Sequence, residues 1–182
     1  MQDFLPQKNN YRNLVAYKKS ECIYDLTYYF AHHFLQKGDR TIDQMVQAAR
    51  SGKQNIAEGC AASVTSKETE IKLINVAKAS LKELLEDYCD YLRVRGLNQW
   101  KKGDEKFEQT RKVTAAHDES EFYIQAAQLR SDETIANIAI ILCNQTDFLL
   151  YRLLESLKKN FLEKGGIREE MTRARLSQRN KR

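Results

Sequence analysis

Apolar side chains recur along this chain at every third or fourth position, in four long blocks separated by polar breaks. From Tyr11 to Gln36 the stripe runs Leu14, Cys22, Leu26 and Tyr29, broadened by Ile23, Phe30 and Phe34. That spacing predicts one face of an α-helix. Gly38-Asp39 interrupts it, and Asp39 or Thr41 can cap a second helix. The second stripe is Ile42, Met45, Ala49, Ile56 and Cys60, ending near Ala61 or Ala62. Thr65-Ser66-Lys67-Glu68 then reads as a T-x-x-E capping box, in which Thr65 and Glu68 each satisfy an otherwise orphan backbone donor. The third helix carries Ile71, Ile74, Leu81, Leu85, Tyr88 and Leu92, and should stop near Arg95-Gly96. Residues 97–130 are polar with weak periodicity, and Trp100 should anchor them to the rest of the chain. Ser131-Asp132-Glu133 opens a fourth helix, striped by Ile135, Ile138, Leu142, Leu149, Leu153 and Leu157, that runs to Gly165-Gly166.

The pattern predicts an all-α fold: an up-and-down four-helix bundle with helices at about 11–36, 40–61, 66–95 and 131–164. A long excursion, 97–130, holds one or two short helices between the third and fourth. The bundle spans residues 1–166, and a basic C-terminal extension follows at 167–182. Composition agrees, with one proline (Pro6), seven glycines and 30% charged residues, which disfavours a turn-rich β fold. Mean hydropathy is −0.65, and no apolar run approaches the ~18 residues that cross a bilayer. The first residues lack a signal-peptide pattern. The expectation is a cytoplasmic protein without a membrane partner.

Charge changes the picture at one end. Residues 152–182 hold ten Lys/Arg against four Glu, while residues 1–151 hold twenty against twenty-one acids. The body is near neutral and the end is basic. Arg168, Arg173, Arg175, Arg179, Lys181 and Arg182 are therefore candidate phosphate contacts. No aromatic residue interleaves with them, so binding should be largely independent of base sequence.

Other candidate chemistry is thin. SGKQNIAEGC (51–60) contains an SGK step, but Gln47 stands where a phosphate loop needs glycine and Gln54 where it needs Ser or Thr. Asn55 and Glu58 share a helix face, yet such a pair specifies no reaction without a concave pocket. Gly52, Ile56 and Gly59 fall on the apolar stripe, which predicts a close helix–helix approach. Asn55 can hydrogen-bond across that approach, and Glu58 can meet Lys72 or Lys78 on the third helix, or the amides at its start. Adjacent His32 and His33 diverge on a helix, and Cys22, Cys60, Cys89 and Cys143 lie far apart. Neither set predicts a metal site, and no cofactor is expected. The aromatics Tyr24, Tyr28, Tyr29, Phe30 and Phe34 read as core or subunit interface.

Ala48 to Ser51 followed by Asn55 to Gly59 (A-A-R-S, then N-I-A-E-G) resembles the four helix bundle protein family, also called the 23S rRNA intervening-sequence family. Ser66, Glu68, Ala77, Ser80, Leu81, Glu83 and Leu84 loosely resemble that family's next helix. Leu92 to Trp100, Asn144-Gln145-Thr146 and Phe161 to Arg175 are similar to its branch with a C-terminal suffix. Ser51-Gly52-Lys53-Gln54 departs from the Ser-Ile-Pro common before N-I-A-E-G. The resemblance implies a non-enzymatic homo-oligomer, with a pentamer favoured. Accessory proteins of diversity-generating retroelements, distant relatives in this resemblance, form barrel-like homopentamers with a basic surface and bind nucleic acid and a reverse transcriptase. The expected function is a nucleic-acid-binding accessory protein, for RNA or DNA. The alternative is a scaffold that docks a partner enzyme such as a reverse transcriptase without touching nucleic acid.

Overall fold

The computed structural model describes residues 11–179. A single 3-10 turn, Tyr11–Asn13, leads into α1 (Val15–Phe34), α2 (Arg40–Ala62) and α3 (Lys67–Val94). Two short helices follow, α4 (Glu105–Ala116) and α5 (Ser120–Ala127), then α6 (Asp132–Lys164) and α7 (Ile167–Arg179). Among the described residues there is no strand, and the fold is all-α. α1 and α3 each pack against both α2 and α6. Ile23, Phe30, Met45, Ile56, Ile74, Leu84, Tyr88, Ile135 and Leu142 are fully buried between them. The Tyr88 hydroxyl, which burial would otherwise strand, donates to Thr27 Oγ1 at 3.0 Å.

Helix starts follow local chemistry. The Asp39 carboxylate accepts from the Thr41 N–H at 2.9 Å and opens α2. At α3 the cap is Ser66, not Thr65, and this corrects the capping box expected from the sequence. Ser66 is in extended backbone immediately before the first helical residue, and its hydroxyl oxygen accepts from Thr69 N–H at 3.1 Å. Thr65 lies one position too early to reach that amide. Its hydroxyl instead donates to Ala62 O at 3.2 Å, closing α2.

α2 and α3 approach closely at two glycines. A Cβ on Gly52 would lie 2.5 Å from Leu81 Cδ2; one on Gly59 would lie 3.3 Å from both Leu73 Cβ and Ile74 Cδ1. The hydrogen bond across this seam joins Ser51 Oγ and Ser80 Oγ at 2.9 Å. Asn55, expected to bridge the helices, turns back on its own helix, donating to Ser51 O at 2.8 Å and Ser51 Oγ at 3.1 Å. It holds the bridging serine rather than bridging itself.

α4 packs on α6 and α5 on α1. Polar contacts fix them. The buried Lys19 ammonium donates to the carbonyls of Thr114 and His117 at the end of α4 and pairs with Asp118 at 3.4 Å. A buried lysine is costly without such partners. Tyr123 OH donates to His117 O at 2.7 Å, and the Ser120 hydroxyl donates to Asp25. Trp100 is buried, its backbone N–H donating to Asn137 Oδ1 at 2.7 Å, while Asn137 Nδ2 donates to Asn98 O at 2.9 Å.

The hydropathy reading of the sequence needs one correction. The helical stretch from Asp132 to Arg179, broken at Gly165-Gly166, contains an 18-residue window long and apolar enough, by length and composition, to cross a membrane. Of that window 56% is buried inside the protein. Packing of Ile135, Ala139, Leu142 and Leu150 against the neighbouring helices accounts for its apolarity.

Candidate nucleic-acid interface

α6 ends at Gly165, whose φ of +75° lies in the left-handed region that favours glycine. Its N–H donates to Phe161 O at 2.8 Å, and the chain turns into α7. At about 3.6 residues per turn, Arg168, Thr172, Arg175 and Arg179 stand at i, i+4, i+7 and i+11 and form one stripe. Arg173 lies on another flank. All four arginines are exposed. Ile167, Met171 and Ala174 make a parallel apolar stripe, with Met171 exposed. Among the described residues α7 packs broadly on no other helix. Lys181 and Arg182, also expected to contact phosphate, lie outside the described residues.

The acids near this helix cluster at its root. Glu169 and Glu170 occupy its first turn, where the positive end of the helix dipole favours them. The Glu68 carboxyl, on α3, is held below its usual range by its own backbone N–H, then by the Ser66 hydroxyl, with a smaller contribution from Arg168. Arg168 therefore works beside a carboxylate, whereas Arg175 and Arg179 extend beyond that acidic root.

The remaining sequence candidates are placed elsewhere. Gly52, Asn55 and Gly59 belong to the α2–α3 seam, and Glu58 is exposed. Lys78, an expected partner of Glu58, instead pairs with Asp147 of α6 at 2.9 Å. An exposed carboxylate and an amide folded onto its own helix do not converge on a reacting atom. His32 and His33 each bring Nδ1 to 2.8 Å from a backbone carbonyl one turn back, at Tyr28 and Tyr29. Among the described residues no three His, Cys, Asp or Glu side chains gather as metal ligands. All four cysteines are free; burial pushes the Cys22 thiol up to about 12 and Cys60 to about 11.

The aromatic set on α1 divides. Phe30 is in the core, edge-on to Tyr88 and Tyr91. Tyr24, Tyr29 and Phe34 are half-buried, and Tyr28 is exposed. Tyr29 stacks on His33 at 3.9 Å between centroids, and Lys53 Nζ sits 4.4 Å from the Tyr24 ring. Sequence reasoning missed Lys19 and the buried Glu70. The available signal was a charged residue standing on an apolar stripe in each case. Comparison of the chain with protein-family models, curated proteins and solved structures finds no match.

Proposed function

We propose that this chain is a non-enzymatic accessory protein that binds RNA or DNA through the arginine stripe of α7, with little dependence on base sequence. The observation that carries the reading is the exposed line Arg168–Arg175–Arg179 on a helix that packs broadly on no other, attached to a body of near-neutral charge. Each arginine that neutralises a phosphate releases counterions, so affinity should fall steeply with salt. The four long helices are taken as an up-and-down bundle of the intervening-sequence type, on the N-I-A-E-G and suffix resemblance and on the pairing of α1 and α3 with α2 and α6. A homo-oligomer, with a pentamer favoured, belongs to the same reading.

The test is fluorescence anisotropy with structured RNA and duplex DNA over a salt series. Replacing Arg168, Arg175 and Arg179 together by alanine should lower the log–log salt slope on duplex DNA by about 2–3, at roughly 0.9 per phosphate contact. An unchanged slope, or no binding at low salt, refutes the role of α7.

A second reading is a scaffold that docks a partner enzyme such as a reverse transcriptase. The groove between α1 and α5, lined by Tyr24, Tyr28, Tyr29, His32, His33 and Ile124, favours it. A nuclease-resistant complex, together with absent nucleic-acid affinity, would select that reading.

A further inference from the structure

The first turns of α3, the last turns of α6 and the start of α7 enclose a cavity of about 160 Å³. Glu70 of α3 lines it and is only 3% exposed. Its Oε2 is shut off from solvent and accepts no hydrogen bond. Lys67 Nζ stands 3.7 Å away, an ion-pair distance too long for a hydrogen bond. A buried carboxylate whose neighbouring ammonium stands beyond hydrogen-bond range is costly, and a cation that meets the carboxyl from the cavity lowers that cost. The second carboxylate lining the cavity is Glu170 of α7, and Ile71, Leu157 and Phe161 supply apolar wall.

We propose that this cavity binds a small organic monocation, a primary alkylammonium, whose N–H groups donate to Glu70 and Glu170 while its alkyl body lies against Ile71, Leu157 and Phe161. The charge fits, since two carboxylates and Lys67 leave one negative charge to neutralise. The size fits as well, because an engineered cavity of about 150 Å³ holds a benzene-sized molecule. A metal ion fits poorly: among the described residues no three ligating side chains converge, and much of the wall is hydrocarbon. Burial pushes the Glu70 carboxyl above its usual range, with Lys67 pulling it back. An arriving ammonium favours the ionised form, so affinity should rise with pH as Glu70 gives up its proton. Glu170 comes from α7 and Glu70 from α3, so an occupied cavity ties the basic helix to the body.

The experiment is calorimetric titration of the full chain with n-butylammonium chloride at constant ionic strength, with 1-butanol as the neutral counterpart. Butylammonium should bind saturably at one site, and butanol about tenfold or more weaker, because only the cation answers the buried carboxylate. Glu70→Gln should weaken butylammonium by about tenfold and Glu170→Gln by a few-fold. Methyl and ring resonances of Ile71, Leu157 and Phe161 in the unaltered protein should shift on titration, which locates the site even if Glu70→Gln fails to fold. Equal binding of butanol, no saturation by about 10 mM, or shifts confined to other residues would overturn the proposal. So would full affinity in a folded Glu70→Gln protein.

Discussion

At Gly52 there is no room for a methyl group: its Cβ would sit 2.5 Å from Leu81 Cδ2 and 2.7 Å from Leu81 Cγ. Leu81 is itself buried, so relief means repacking the core. Gly52→Ala should destabilise the fold by about 1–3 kcal/mol through overpacking, less a helix-propensity gain of up to about 1 kcal/mol. Gly59→Ala should cost less, because its contacts begin at 3.3 Å and yield to a small shift. Gly59→Leu should again lose about 1–3 kcal/mol. Urea melts of the three variants check the order, and equal midpoints would refute the close-approach argument. Asp87 offers a pH test at the same scale. Burial, then Glu83 and Asp90, pushes its carboxyl up to about 6 from an ordinary 3.8. The folded form therefore binds that proton more tightly than the unfolded chain, and stability contributed here falls as pH rises through that window. Asp87→Asn should raise Tm at pH 7 and leave it unchanged near pH 3, in thermal melts at both values.

Among the elements, α4 and α5 depend most on single polar contacts. α4 buries only Thr114 along its length, so no apolar stripe marks it and weak periodicity was all the sequence offered. Its attachment comes from Lys19, ninety-five positions from Thr114, and from Gln145 of α6, which donates to Arg111 O at 2.9 Å, while Asn137 holds the Trp100 backbone ahead of it. Such pairings have no local signature, which is why the excursion was legible as a break but not as a strap. The long helices were legible because each buries one stripe at helical spacing, as Met45, Ala49, Ile56 and Cys60 do on α2. Thr65 misled because two hydroxyl residues stand side by side, and only backbone geometry decides which one caps. The cavity beside Glu70 left no mark, since its walls come from three separated segments. Lys19→Met keeps the buried stem but leaves the Thr114 and His117 carbonyls without their ammonium donor. It should cost about 1–3 kcal/mol. Amide hydrogen exchange in α5 should accelerate well before that in α3. Uniform acceleration across all helices would show that Lys19 is not a local clamp.

For the whole molecule, the question is how a near-neutral body and one short basic helix would hold a polyanion. The three arginines of the α7 stripe supply a modest electrostatic grip, and copies of α7 on one assembly would multiply it. An assembly needs apolar surface to bury. On the outer face of α6, Phe148 is 56% exposed and Tyr151, one turn on, is 51% exposed. Aromatics left in solvent at that density suit an interface between copies of this chain. Light scattering should therefore give a homo-oligomeric mass, a pentamer on the family resemblance. Phe148→Gln with Tyr151→Gln, which leaves the net charge unchanged, should dissociate it while far-ultraviolet circular dichroism keeps its helical signal. The dissociated protein retains α7 intact, so any affinity it loses for long nucleic acid measures multivalency alone. That loss should be about 10²–10⁴-fold, and a short oligonucleotide spanning one α7 should bind both forms equally. A wild-type monomer at micromolar concentration would remove the assembly from the reading and leave the arginine stripe to be judged on its own salt slope.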